Sequence, residues 1–276
     1  MKFSAGEAAF EGFRVTRHHP ISMLAWALVY LASIVVTALV AMPLLQPIAP
    51  ELRSILETMM AGGQSEPSAA LQAQLAYAMW ATMPVTLITQ AILLPALYRA
   101  IRAKARDRFA FLRLSVDELR VLAVLAILAI ISLGLNQAGE MAVGVTNGSG
   151  LGVFLSVALS LLSIFLSVRL VFAVPGAFAE RRIDLKAAWR MTAGLFWPLL
   201  GMAIIAGVMA CIVVLLLVIV ALPISGIMSS APSTSLPAMA AAAAVLFLMS
   251  LGAAMILAIV SAPFMAAYRE LTGERD

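Results

Sequence analysis

Apolar residues run along this chain in long unbroken blocks, without strand-like alternation, and polar residues gather between the blocks. Several blocks reach or exceed the roughly 18 residues needed to cross a bilayer, which predicts membrane-spanning helices. Six are expected, over about 21–44, 76–98, 119–137, 151–174, 196–222 and 238–264. The fold class expected is therefore all-α, a polytopic membrane protein whose six transmembrane helices form three helical hairpins. The longest connection follows the first block. Within it ELRSILETMM sets Leu52, Ile55, Leu56, Met59 and Met60 at helical spacing, after Pro50 and before Gly62 and Gly63. Such a segment over 51–60 either lies on the outer leaflet or closes the end of the bundle.

Polar positions repeat as well. Ser4 with Glu7 and Ser115 with Glu118 fit a capping box, and Asp184 is a cap before LKAAWR. Each even-numbered block ends on a proline, an aromatic and a basic residue: Pro95, Tyr98, Arg99; Pro175, Phe178, Arg181; Pro263, Tyr268, Arg269. Ala8-Ala9-Phe10 and Ala187-Ala188-Trp189 also match. These signals predict a single membrane domain over 1–276 built from three repeats, 4–106, 115–183 and 184–276. Each repeat would begin and end on one side, so the repeats would be parallel about an axis along the membrane normal.

Composition agrees with the pattern. Of 276 residues, 63% are hydrophobic and 12% charged, about half the charged share of a soluble domain. Charge then orients the helices. Seventeen of the 18 lysines and arginines fall on the side of the two termini, with ten acidic residues, while Arg53 and four acidic residues lie opposite. Positive loops stay in the cytoplasm, so both termini are expected inside. The apolar run after the basic N-terminal flank has no small-residue cleavage site and reads as an uncleaved first span.

Catalytic chemistry is sparse. Cys211 is the one cysteine and sits in an apolar run; His18 and His19 are adjacent and would point to different helix faces. No Walker loop, no HExxH and no serine, histidine and acid arrangement can be drawn. No enzyme activity, cofactor or metal is therefore expected. Topology accounts for the basic residues, and nucleic acid is not an expected partner.

Three groups remain as ligand candidates. Arg99, Arg102 and Arg106 stand at helical spacing in RAIRAKARDRFAFLRLSVDELR, where each could hold anionic lipid headgroups for about 1 kcal/mol. Arg169 lies within about two helical turns of the inner interface, where an arginine either snorkels or marks a site. Ser156, Ser160, Ser163 and Ser167 form one stripe, which either packs helices closely or lines a path with Thr86, Thr89, Gln90, Asn136 and Gln137. No acidic residue lies within a span, against ion-coupled pumping.

The stretch SVRLVFAVPGAFAE followed by IDLKAAWRMT carries Arg169, the turn at Pro175 and the helix of Ala187, Ala188 and Trp189. With the six spans it resembles a broad group of bacterial inner-membrane proteins. That group includes the YciC-type proteins and the membrane domains found beside glycerophosphodiester phosphodiesterases. The resemblance implies a multi-pass protein of the bacterial inner membrane, and architecture more than activity. The function expected is a non-enzymatic one, binding membrane lipids, anionic ones included, or a partner membrane protein through the Arg99–Arg120 region. The alternative is a transporter or permease component for a small molecule or lipid, with its path along the serines and Arg169.

Overall fold

A computed structural model of the chain describes residues 10–63, 67–102, 110–146, 148–230 and 235–273. These residues are helical, with no strand among them. The helices are α1 (Glu11–His18), α2 (Pro20–Leu45), α3 (Ala49–Met60), α4 (Ala69–Arg102), α5 (Val116–Val145), α6 (Gly150–Arg169), α7 (Ala173–Ala179), α8 (Leu185–Met191), α9 (Phe196–Ser230) and α10 (Leu236–Thr272). Six segments are long and apolar enough to cross a membrane, one at each of the six apolar blocks.

Local chemistry explains most boundaries. Ser115 and Glu118 close a capping box at the start of α5, and the Asp184 carboxylate accepts the Ala187 amide at the start of α8. Ser235 caps α10 in the same way, and that helix stops at Gly273 in the left-handed conformation. The expected box at Ser4 and Glu7 lies outside the described residues. α4 runs 34 residues and α10 runs 37, about 50 Å or more at 1.5 Å per residue. Both exceed the roughly 30 Å of a hydrocarbon core, so their ends project beyond it.

The fourth block departs from the expected single helix over 151–174. α6 stops at Arg169, and α7 starts afresh at Ala173 with Pro175 in its first turn. There the missing proline N–H costs nothing, because first-turn amides have no intrahelical partner. Pro95 and Pro263 stay inside α4 and α10. At the break the Thr192 hydroxyl donates to the Arg169 carbonyl at 2.8 Å, supplying a partner at the end of α6.

Consecutive spans pack together: α2 on α4, α4 on α5, α5 on α6, and α9 on α10. α10 also packs against α1, α2, α4 and α7, while α6 and α9 meet only sparsely. Contacts gather the starts of α2, α5 and α9 with the ends of α4, α6 and α10. Trp26 Nε1 donates to the Ala110 carbonyl at 2.9 Å, Arg99 pairs with Glu118, Arg269 reaches the Ile101 carbonyl at 3.4 Å, and Thr192 meets Arg169. The main core lies toward this basic end, around Trp26, Leu97, Tyr98, Val121, Phe172, Met265 and Tyr268. No residue of α3 is buried. Leu56, Met59 and Met60 are exposed, so α3 presents an apolar face that the bundle leaves uncovered.

Small residues let the helices approach. A Cβ on Gly12 would stand 2.5 Å from the Ile259 Cα and 2.7 Å from the Ala258 carbonyl oxygen. Backbone cannot swing aside as a side chain can. Gly12→Ala is therefore expected to destabilise the protein by about 2 kcal/mol through overpacking. Gly201→Ala, with nothing within 4 Å of the new Cβ, should leave stability unchanged or raise it by about 0.5–1 kcal/mol. Thermal unfolding of the two variants in one detergent checks this ordering.

Candidate functional site

At the basic end Arg99 is engaged in an ion pair with Glu118. Glu118 is buried and accepts from Arg99 through one oxygen, and its other oxygen takes the Ser115 amide at 2.7 Å and the Ser115 hydroxyl. Arg99 also donates to the Phe111 carbonyl at 3.1 Å, with Phe111 and Ala110 in the left-handed backbone region. Arg99 thus ties the end of α4 to Phe111 and the start of α5. Arg102 lies over the Phe178 ring at 5.8 Å. Arg106 lies outside the described residues.

Two of the three recurring aromatics meet beside this pair, and the third packs on Phe172. Tyr98 and Phe178 have ring centroids 5.7 Å apart, and Tyr268 packs edge-on against Phe172 at 5.9 Å. The Tyr268 hydroxyl donates to Glu180 at 2.8 Å. That bond, and a second from Arg182 at 2.7 Å, hold the Glu180 carboxyl below its ordinary value of 4.5. Sequence reasoning missed Glu180, which stands before the loop arginines without a pattern of its own.

Above the aromatics, toward the middle of the bundle, lies a partly open cavity of about 260 Å³ between α4, α5, α6, α7 and α10. Its wall is largely aliphatic: Leu94, Leu125, Leu128, Ile131, Leu166, Leu170, Val171, Val174 and Val260, with Phe264. Polar groups are few and separated, namely Gln90, Ser132, Ser167, Ser261 and Tyr98. A second cavity of about 400 Å³ lies between α2 and α4, lined by Tyr30, Ser33, Ile34, Thr37, Ala38, Thr86, Thr89 and Gln90. Thr89 and Ser33 are hydrogen-bonded there at 2.8 Å. Gln90 lines both cavities.

The serine stripe divides between the roles weighed for it. Ser156 sits 3.2 Å from where a Cβ on Gly139 would stand, so there the stripe serves close approach of α5 and α6. The Ser160 and Ser167 hydroxyls donate back to the carbonyls of Ser156 and Ser163 at 2.9 and 2.8 Å. Ser167 lines the first cavity, whereas Ser156, Ser160 and Ser163 do not. Ser132 and Ser261 were not singled out in the sequence; each is a lone hydroxyl in an apolar run, which is the only signal they carry.

Arg169 does not reach the first cavity. Its guanidinium stacks on Trp189, 4.3 Å from the ring centroid. Cys211 is exposed on the flank of α9. Among the described residues no cluster of histidine, cysteine or carboxylate could hold a metal. His19 packs edge-on against Phe111. The chain matches no family profile, no curated protein and no solved structure to which it was compared.

Two predictions follow from the basic end. Arg99→Met leaves Glu118 buried without its cation and should cost about 3 kcal/mol or more, while Arg99→Met with Glu118→Leu should recover most of the loss. Chemical unfolding in detergent measures both. Glu180 has a depressed pKa, so its tie to Tyr268 contributes fully above the ordinary value of 4.5 and fades as pH falls through the lower folded value. Melting temperature measured from pH 6 downward should fall less steeply in Glu180→Gln.

Proposed function

We propose that this is a non-enzymatic, multi-pass protein of the bacterial inner membrane that binds lipid within its bundle. In this reading its spans form three helical hairpins with both termini cytoplasmic, and the basic end faces the cytoplasm. The observation that carries the reading is the aliphatic cavity with its scattered hydroxyls and Gln90. At about 260 Å³ it is slightly smaller than the roughly 300–1,000 Å³ of pockets that enclose a drug-sized molecule. That size suits one chain of an amphiphile, and the partly open wall lets the rest stay in the leaflet. Arg99 is occupied internally, which moves the weight of lipid binding from the Arg99–Arg120 region to the cavity.

A second reading, a transporter component, is favoured by one feature: Gln90 lines both cavities and is a polar waypoint between the two sides of α4. Under it, Gln90→Leu would abolish flux of a lipid reporter in vesicles while leaving lipid retention intact. Under the first reading there is no flux to lose.

Native mass spectrometry of protein extracted without stripping lipid tests the proposal. A lipid adduct at near-equal stoichiometry is expected. Ser167→Leu combined with Ser261→Leu fills the cavity and should lower retention at least about fourfold, since each displaced methylene forfeits roughly 0.8 kcal/mol. Lipid-free protein, or a stoichiometric second protein in place of lipid, would overturn it.

A further inference from the structure

Arg169 ends α6 with a charge that the described residues leave unmatched. Four arginines pair with carboxylates: Arg14 with Glu11, Arg99 with Glu118, Arg120 with Asp117, and Arg182 with Glu180. For Arg169 the contact is the Trp189 ring, and its Nε is buried without a hydrogen-bond partner. A buried N–H lacking an acceptor is costly, and a cation at the edge of hydrocarbon calls for a counter-charge. Nε is closed to an outside ligand, so a counter-charge would have to meet the rest of the guanidinium.

The arrangement is held in place by its surroundings. Thr192 ties the Arg169 carbonyl to the end of α8 at 2.8 Å, and Asp184 caps the start of that helix. Phe165 packs against both Trp189 and Phe196, with centroids 6.0 and 5.3 Å apart, and gives the stacked pair an apolar floor. Trp189 is exposed and Trp197 more so, as tryptophans are where a chain crosses the headgroup layer. Lys186 and Arg190 are exposed one helical turn apart on α8. The stacked guanidinium, the exposed tryptophan and two further cations of α8 share one corner.

We propose that Arg169, stacked on Trp189, binds the phosphate of an anionic phospholipid in the adjoining leaflet, with Lys186 and Arg190 adding to the field. The guanidinium presents planar donors to the phosphate oxygens. Stacking fixes its orientation and shields one face from water. This site rests on the lipid-binding reading for the source of its phosphate, but not on the central cavity, whose lining does not include Arg169.

Purified full-length protein in neutral detergent is titrated with phosphatidylglycerol or phosphatidylcholine of matched chains, and retention is read by native mass spectrometry. Wild type should prefer phosphatidylglycerol. Arg169→Gln should lose that preference by about fivefold, equivalent to the ~1 kcal/mol of one basic residue against an anionic surface. Arg169→Lys, which keeps charge but not the planar fork, should fall between. Quenching of tryptophan fluorescence by brominated phosphatidylglycerol should weaken in Arg169→Gln and in Lys186→Gln with Arg190→Gln, the second keeping the test open if the first does not fold. Competition by millimolar inorganic phosphate would reassign the ligand to free phosphate and overturn the lipid assignment. Equal retention of the two lipids by wild type, or an unchanged preference in Arg169→Gln, would sink this site alone. Retention of neither lipid would remove the lipid-binding reading with it.

Discussion

Arg99 and Glu118 set the terms for everything around them. Both are largely withdrawn from water at the edge of an apolar bundle, where either charge alone would be far more costly than the pair. The carboxylate meets the remaining demand by accepting the Ser115 amide and hydroxyl, so the ion pair and the cap of α5 are one unit. Because Arg99 also holds the Phe111 carbonyl, the end of α4, the turn at Phe111 and the start of α5 are tied together. Trp26 joins α2 to the same loop through Ala110. The Tyr98, Phe178, Phe172 and Tyr268 rings then pack where those ends converge.

Packing farther into the bundle obeys a different rule. Between helices in lipid there is little hydrophobic driving force, so close fit and small residues decide which helices touch. α10 has the residues for it, with Gly252, Ala254, Ala258 and Ala262 buried among its neighbours. α6 and α9 carry bulky exposed side chains such as Phe154, Leu161, Val208 and Leu215, and they meet sparsely. The first cavity lies where α10 provides Val260, Ser261 and Phe264 and α6 provides Leu166 and Ser167.

Features encoded locally were readable from sequence. Six apolar blocks, the Ser115 and Glu118 box and the Asp184 cap need only a few neighbouring residues, and they stand where expected. Features that depend on distant partners were not. Pro95, Pro175 and Pro263 look alike in the chain, yet only Pro175 opens a new helix, with Thr192 taking the carbonyl of a residue 23 positions earlier. Arg99 resembles a surface cation until Glu118, 19 positions on, is placed beside it. The serine stripe was legible as a helix face, but which of its members borders a gap depends on where α10 runs. Ser132 and Ser261 have no periodicity, and only the assembled bundle brings them to Gln90.

The central claim is that the gap beside α10 is a lipid site and not a packing defect. Electron cryomicroscopy of the protein in lipid nanodiscs addresses it most directly. The account predicts elongated density between Gln90, Ser167 and Ser261, continuous with the leaflet and lost when Ser167→Leu and Ser261→Leu are combined. A bundle in which α6 closes onto α10, leaving no space or density between them, would contradict it.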